Sequence, residues 1–232
     1  MPTLIENIRA YVLHVRRYTD SKNIVSFIAE TTGRTSCVVR VSKKAAPLQP
    51  FVSYEIAYSG KGSLKTLASA DQTERFDLPP GRPTYCGMYL NELLVKLLPE
   101  LESHDALLSA YQETLKKLTV ADNAQIQEIL LRRFEFTLLD EFGLGFHFDR
   151  CADFSEIEAS DEAEYKFVAG EGFVQVAPAL SQYAITFTGS ALSEIAREEW
   201  TVQSLRAAKA LSRLALRPLL GFQELKAREL FQ

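Results

Sequence analysis

The chain has 232 residues, of which 47% are apolar, with three cysteines and a formal net charge of −4. This composition supports a packed core in one or two domains, and no apolar run reaches the length of a membrane span. The start, with Glu6 and Asn7, lacks a signal-peptide pattern, and the scattered cysteines are too few for a disulfide framework. We therefore expect a reduced, cytoplasmic protein that binds no membrane.

The net charge hides a segregation along the chain. Residues 1–80 carry 11 Lys/Arg against 7 Asp/Glu, and residues 201–232 carry 6 against 2. Residues 81–150 carry 7 against 11, and residues 151–200 carry 2 against 10. Basic ends around an acidic middle indicate a polyanionic partner for the ends, although uneven charge also occurs in proteins that bind no nucleic acid.

Residues 10–70 have the pattern of β structure, with short runs rich in β-branched and aromatic residues between turn-like segments. In one run, Val52, Tyr54, Ile56 and Tyr58 alternate with polar residues. Five short strands in so few residues predict a small closed barrel, for which the OB-fold is the economical candidate and an SH3-like barrel the alternative. The predicted strands are residues 10–15, 24–29, 35–41, 51–58 and 63–69.

A proline-rich segment, residues 78–83, can continue neither a strand pattern nor a helical pattern. We therefore place a domain boundary between residues 79 and 80. Helical patterns follow at 85–98 and 103–118, and then in the stretch 125–148, where apolar side chains recur at helical spacing and Gly143 and Gly145 mark the end of the helix. Asp122 is the predicted cap of this third helix, with Gln125 at the capping-box position. Residues 80–232 are thus predicted to form a helical domain.

A small acidic insertion is predicted at about residues 151–188, by its turn and strand pattern. Two short strand-like runs, 165–168 and 173–176, flank Gly170-Glu171-Gly172 and predict a hairpin. Helices resume at 190–199 and at 202–220, the latter from an apparent cap at Thr201.

The last of these helices carries four cations and no acid along one face. This face is either the solvated side of an amphipathic helix or a phosphate-binding surface. We name it the basic stripe; it consists of Arg206, Lys209, Arg213 and Arg217.

Arg132 and Arg133 interrupt this third, apolar helix, and at most one of them can point fully outward. One interpretation gives Arg132 exposed ion pairs with Glu128 and Glu135; the other gives it a carboxylate-binding role.

Catalytic and metal signatures are missing from the sequence: it has no nucleophile elbow, no phosphate-binding glycine loop and no His-Glu-x-x-His. His147 and Cys151 could supply half a metal site, but no second pair follows, and a closed zinc site needs four ligands. We expect no catalytic residue, no bound metal and no cofactor.

Six segments, in this order and spacing, are similar to a known family. They are Tyr11-Val12-Leu13-His14, Leu48-Gln49-Pro50-Phe51, Lys65-Thr66-Leu67, Tyr89-Leu90-Asn91-Glu92-Leu93-Leu94, Leu131-Arg132-Arg133-Phe134-Glu135 and Leu225-Lys226-Ala227-Arg228-Glu229-Leu230-Phe231. Together they resemble the RecO family of bacterial recombination mediators over nearly the whole chain. The resemblance implies an N-terminal OB-fold over residues 1–79, a helical domain and a variable insertion, here without the zinc module that some relatives carry.

The resemblance also implies a role in DNA repair and homologous recombination at the bacterial nucleoid. The implied activities are binding of single- and double-stranded DNA and annealing of complementary strands. The resemblance also implies docking of the acidic, Phe-ended tail of single-strand binding protein (SSB), and loading of RecA together with RecR. Arg132 would hold the terminal carboxylate of the tail. The alternatives are an adaptor for the SSB tail with incidental DNA contact, and a barrel enzyme or RNA-processing factor.

DNA binding by the barrel would use phosphate contacts, with Tyr18 and Tyr58 as possible stacking platforms for bases. The basic loop at residues 40–44 is short for the family. The predicted phosphate partners are Arg16, Arg17, Lys22, Arg34, Arg40, Lys43, Lys44, Lys61 and Lys65, with the basic stripe as a possible second surface.

Overall fold

The computed structural model describes residues 4–42, 46–177 and 185–231. The chain divides into two compact units. The first combines residues 1–127 with residues 224–232, and the second holds residues 128–223. The boundary predicted between residues 79 and 80 lies inside the first unit, where the barrel ends and its first helix begins.

The first unit opens with a closed five-stranded barrel in the order β1-β2-β3-β5-β4, in which β3 and β5 are parallel and β4 returns to β1. This closed arrangement is the OB-fold, so it confirms the predicted fold and decides against the SH3-like alternative. Val12, Phe27 and Ile56 are among the side chains that fill the barrel. The strands are β1 (Leu4–Thr19), β2 (Lys22–Ala29), β3 (Gly33–Arg40), β4 (Val52–Ser59) and β5 (Leu64–Arg75).

Two of the strands, β1 and β5, are much longer than the sequence pattern predicted. The start of β1 pairs with β4 and its end pairs with β2, with a register shift between Val12 and His14. The second half of β5 is polar and exposed, so it has no apolar run, yet it pairs with β4 as far as Arg75. A long strand can pair with two neighbours along different parts of its length, and this pairing lets so small a sheet close into a barrel.

Two helices, α1 (Arg82–Leu97) and α2 (Asp105–Leu118), cover part of the barrel's outer face. Asn91 of α1 donates a hydrogen bond from Nδ2 to the Leu13 carbonyl at 2.9 Å and accepts one from the Tyr111 hydroxyl at 2.7 Å. The rings of Tyr11 and Tyr111 meet edge to face at 5.8 Å. These contacts explain why the first unit continues past the barrel.

A close approach at Gly33 fixes the loop between these helices. Gly33 has φ of 62°, and an added Cβ would lie 1.6 Å from the carbonyl oxygen of Glu102. Only glycine fits this position, because both the left-handed backbone and the lack of space disfavour a side chain. Next to it, Arg34 pairs with Glu100 at 3.1 Å.

The C-terminal 3-10 helix (Lys226–Phe231) returns to α1 within the first unit. The Glu92 carboxylate accepts the backbone N–H groups of Lys226 and Ala227 at 3.0 and 2.8 Å. The Arg82 guanidinium lies 5.3 Å from the centre of the Phe231 ring. Charge-assisted bonds to two backbone donors thus hold the last residues against α1.

The second unit combines helices with a three-stranded sheet in the order β7-β6-β8. β6 and β7 form the predicted hairpin, whereas the third strand was not predicted because its three residues are too few to show a periodicity. Phe173, Phe187 and Leu211 belong to its core. Its elements are most of α3 (Ala124–Glu141), β6 (Glu164–Val168), β7 (Gly172–Val176), β8 (Thr186–Thr188), α4 (Gly189–Ala196) and α5 (Val202–Leu219).

Helix α3 begins with a different cap from the one predicted. Asn123, not Asp122, accepts the backbone N–H of Ile126 through its side-chain oxygen at 2.9 Å. The helix ends at Glu141, just before Gly143 at φ of 68°, so its predicted end at Gly143 and Gly145 is confirmed. Phe146 and Phe148 pack in the aromatic core of the second unit.

Candidate nucleic-acid interface

Three cations lie on one face at one end of the barrel. Lys22 and Arg40 are direct cross-strand partners in β2 and β3, so their side chains leave the sheet on the same face. Arg16 of β1 is the cross-strand partner of Ile24 in β2. Ile24 and Lys22 are two residues apart, so their side chains leave β2 on the same face, and Arg16 shares that face. Arg16 and Arg40 are exposed, and Lys22 is partly exposed. We call Arg16, Lys22 and Arg40 the barrel patch.

An exposed aromatic side chain accompanies the barrel patch. Tyr18 lies two residues after Arg16 in β1 and is 56% exposed. Beside it, Arg17 pairs with Asp20 of the turn. The backbone N–H of Val41 donates to the Ser21 carbonyl at 2.9 Å and holds the segment after β3 next to this turn. Cations beside an open ring are the two components of a single-strand site.

Two further predicted partners lie just beyond this segment in the chain. Lys43 and Lys44 follow Arg40 by three and four residues and lie outside the described residues. The other predicted stacking platform, Tyr58, is 1% exposed and belongs to the barrel core.

The remaining barrel cations lie at the other end. β3 and β5 are parallel, with Ser36 opposite Leu64, so Arg34 and Lys61 are near the strand starts and away from Arg40. Arg34 is engaged with Glu100, and its Nε donates to the Leu98 carbonyl at 2.7 Å. Lys65 is 8% exposed and donates to the Gly60 carbonyl at 3.2 Å. Of these three, only Lys61 is exposed.

The basic stripe lies on α5, as the sequence predicted. Thr201 and Ser204 form a reciprocal capping box, and Leu205, Ala208 and Leu211 are buried. Because these apolar residues fix which side of the helix faces the core, the cations lie on the other side.

Three of the four cations of the basic stripe are open to solvent. Lys209 pairs with Glu128 at 3.1 Å, which leaves Arg206, Arg213 and Arg217 exposed. Among the described residues, no carboxylate forms an ion pair with these three arginines. Exposed, uncompensated arginines on one helix face favour an anionic ligand.

Arg132 is buried, in contrast to the exposed ion pair considered from the sequence. Its Nη2 lies 2.9 Å from Glu135 Oε1, and the two side chains are 6% and 1% exposed. Glu128, the other acid considered for Arg132, pairs with Lys209 instead. Arg133 reaches Glu198 at 2.9 Å in an exposed pair. The Arg132 guanidinium is therefore already paired with a carboxylate of the same helix.

A cavity of about 280 Å³ opens in the second unit beside the β6–β7 turn. Phe146, Phe167 and Phe173 give it an aromatic wall, and His147 and Glu171 lie at its lining. Nearby, burial raises the pKa of Asp140, an effect that the charge of His147 partly opposes. This cavity was not predicted from the sequence, because its walls come from separate segments.

Neither a metal cluster nor a membrane-spanning helix is found in the part of the chain that the structure describes. No group of three or more His, Cys, Asp or Glu side chains there could hold a metal ion. No helix among the same residues is long and apolar enough to cross a bilayer.

Comparison with known proteins covers both halves of the chain. The family model "Recombination protein O N terminal" matches residues 1–76, and "Recombination protein O C terminal" matches residues 81–229. A DNA repair protein RecO from Proteus mirabilis is 36% identical over 97% of this chain and 91% of its own length. The RecO of Alteromonas mediterranea is 36% identical over 97% of both chains, and that of Stutzerimonas stutzeri 38% over 96% and 92%.

Proposed function

This chain belongs to the RecO family of DNA repair and recombination proteins, and we propose that it binds single- and double-stranded DNA and anneals complementary strands. With RecR, it would help RecA to displace SSB at the nucleoid. The observation that carries the DNA-binding proposal is the barrel patch, in which three neighbouring strands bring Arg16, Lys22 and Arg40 together beside exposed Tyr18.

The net negative charge does not oppose this proposal. Residues 151–200 hold 10 acids against 2 cations, whereas residues 1–80 have an excess of cations. Charges farther away than a Debye length, about 8–10 Å at physiological salt, are largely screened. The total charge of the chain therefore does not decide whether a phosphate binds at the barrel patch.

Annealing by this mechanism requires no catalytic group. Two complementary strands repel each other through their phosphates, and cations that neutralise part of this charge lower the barrier to pairing. We propose the barrel patch and the basic stripe as the two surfaces that do so, and we infer that the protein is not an enzyme.

Oligonucleotide binding as a function of salt tests the DNA-binding proposal. Lys22→Gln removes one cation of the barrel patch, and Lys61→Gln makes the same change at the other end of the barrel. For single strands we expect Lys22→Gln to reduce the slope of log K against log salt by about 0.7, the contribution of one phosphate contact.

The control variant Lys61→Gln should keep the wild-type slope. An affinity that stays flat between about 50 and 200 mM salt would reject phosphate-led binding altogether, because counterion release makes such binding fall steeply. If Lys22→Gln and Lys61→Gln reduce the salt slope equally, the barrel patch is not the preferred phosphate contact. RNA of the same sequence, bound better than DNA, would favour the RNA-processing alternative.

We also propose that the second unit binds the SSB tail, which the adaptor alternative would make the main function. Two locations are available for a tail that ends in Phe. One is Arg132, whose guanidinium would have to exchange Glu135 for the terminal carboxylate. The other is the aromatic cavity, whose wall of Phe146, Phe167 and Phe173 suits an apolar ring.

Binding of an SSB-tail peptide to Arg132→Ala and Phe167→Ala separates the two locations, with Arg133→Ala as the control. Loss in Arg132→Ala alone, with DNA binding and folding retained, supports the carboxylate role. Loss in Phe167→Ala alone supports the cavity. Wild-type peptide binding by both variants would remove the tail from both locations, and an annealing assay on SSB-coated strands with and without RecR tests the mediator role itself.

A further inference from the structure

A large aromatic side chain stands exposed just after α5. Phe222 is 69% exposed and has φ of 62°. A left-handed backbone is unfavourable for a bulky residue, and the exposed ring recovers little of that cost by burial. A strained and uncovered aromatic residue is a reason to look for a ligand.

The helix end explains the position of Phe222 but not its exposure. The N–H of Phe222 donates to the Arg217 carbonyl and the N–H of Gly221 donates to the Pro218 carbonyl, both at 3.0 Å. This is a Schellman motif with Gly221 in the left-handed position, at φ of 58°. Such motifs usually add an apolar contact to the last turn, whereas here the neighbour is a guanidinium.

The Arg217 guanidinium lies over the Phe222 ring, with its Cζ 5.4 Å from the ring centre. This cation–π contact orients the ring and leaves N–H donors of Arg217 available for a phosphate. Arg213, one turn earlier on the same side of the helix, is also exposed. A positioned ring beside two exposed arginines resembles the way in which single-strand binding sites combine base stacking with backbone contacts.

We propose that Phe222 is a stacking platform for an unpaired base of a nucleic acid whose phosphates contact Arg213 and Arg217. This inference rests on the proposed function, since it takes the basic stripe as a DNA surface, and it adds a preference for single strands. A duplex keeps its bases stacked inside and offers phosphates but no free base face to an external ring.

The test uses two substitutions of Phe222 in the full-length chain, with a thymine oligonucleotide and a duplex of equal length as probes. Phe222→Leu keeps an apolar group at the helix end but has no aromatic face. Phe222→Trp keeps an aromatic face. We expect Phe222→Leu to weaken single-strand binding about tenfold, as the loss of one base–aromatic stack does, while duplex binding is unchanged and Phe222→Trp retains the wild-type affinity.

The fluorescence of Phe222→Trp gives a second and direct measurement. Trp200 is the single native tryptophan, so wild-type protein provides the baseline. We expect the new indole to be quenched when the thymine oligonucleotide binds, because a base stacks on it. Wild-type affinity in Phe222→Leu together with an unquenched indole would overturn the stacking role, as would equal losses of single-strand and duplex binding.

Arg213→Gln distinguishes failure of this inference from failure of the proposed function. If Arg213→Gln weakens the binding of both probes while Phe222→Leu changes neither, the basic stripe is a phosphate surface and only the stacking role is rejected. If neither substitution affects DNA but Phe222→Leu weakens binding of an SSB-tail peptide, the ring is a protein contact and the inference is overturned.

Discussion

The pair of Arg132 and Glu135 is the residue-scale feature with the largest expected effect on stability. Both side chains are almost completely buried, and they lie one helical turn apart in α3 with 2.9 Å between Nη2 and Oε1. Removing two charges from water is costly, and their mutual attraction offsets the cost only while both are present. Loss of Arg132 removes one counter-charge from the buried carboxylate of Glu135.

Arg132→Ala should therefore lower the free energy of unfolding by about 3–5 kcal/mol. Arg133→Ala removes the neighbouring, exposed pair with Glu198 and should cost less than about 1 kcal/mol. Urea unfolding of the two variants and the wild type measures the difference. Similar costs for the two substitutions would contradict the buried position of Arg132.

Cys37 predicts a loss of stability at alkaline pH. Burial raises the pKa of this thiol from about 9 to about 12. Between these values the unfolded chain releases a proton that the folded chain retains, so the free energy of unfolding falls as pH rises from about 9 to 12, by at most about 1.4 kcal/mol per pH unit. The fall should be shallower in Cys37→Ala, as measured by urea unfolding at several pH values.

Tyr11 contributes to the same alkaline window in both proteins. Burial is the main cause that raises its pKa to about 12, with a further contribution from Glu74. A pH dependence that is identical with and without Cys37 would show that the thiol does not contribute.

At the scale of the elements, the start of α3 shows how one side chain selects a helix boundary. Asp122 and Asn123 both have a short side-chain oxygen that can accept from free backbone N–H groups. In the structure Asn123 bonds to the Ile126 N–H, while Asp122 accepts a bond from the Asn123 side chain at 3.2 Å. The helix accordingly begins at Ala124.

Replacement of the two candidate caps separates their roles. Asn123→Ala should lower the free energy of unfolding by about 1 kcal/mol, the usual contribution of an N-cap. Asp122→Ala, an exposed position without that bond, should change it by less than about 0.5 kcal/mol. Thermal or urea unfolding checks the order, and a larger effect at Asp122 would restore the cap predicted from the sequence.

At the scale of the whole molecule, the two cationic surfaces lie in different units. The barrel patch belongs to the first unit and the basic stripe to the second. If each surface holds one strand, binding of a single strand needs only one of them, whereas annealing needs both.

Annealing should therefore be more sensitive than binding to the loss of either surface. Lys22→Gln/Arg40→Gln and Arg206→Gln/Arg213→Gln should each retain measurable binding of a single strand but slow annealing, and the four changes combined should slow it further. A strand-annealing assay beside a binding assay on the same variants gives the comparison. Annealing that falls only in proportion to binding would reject the use of two surfaces.

The sequence by itself determined the features that depend on neighbouring residues. Alternation over residues 52–58 predicted a barrel strand, Thr201 predicted the start of α5, and the spacing of Arg206, Arg213 and Arg217 predicted one cationic face. Periodicity and capping depend on residues a few positions apart, so they can be recognised in a single sequence.

Only the tertiary structure decided which predicted site residues are available. It buried Arg132, Lys65 and Tyr58 and brought Arg16, Lys22 and Arg40 onto one face through strand pairing. It also assembled the cavity wall and left Phe222 exposed. Burial and charge pairing depend on groups that are distant in the chain, and no local pattern specifies which of them will meet.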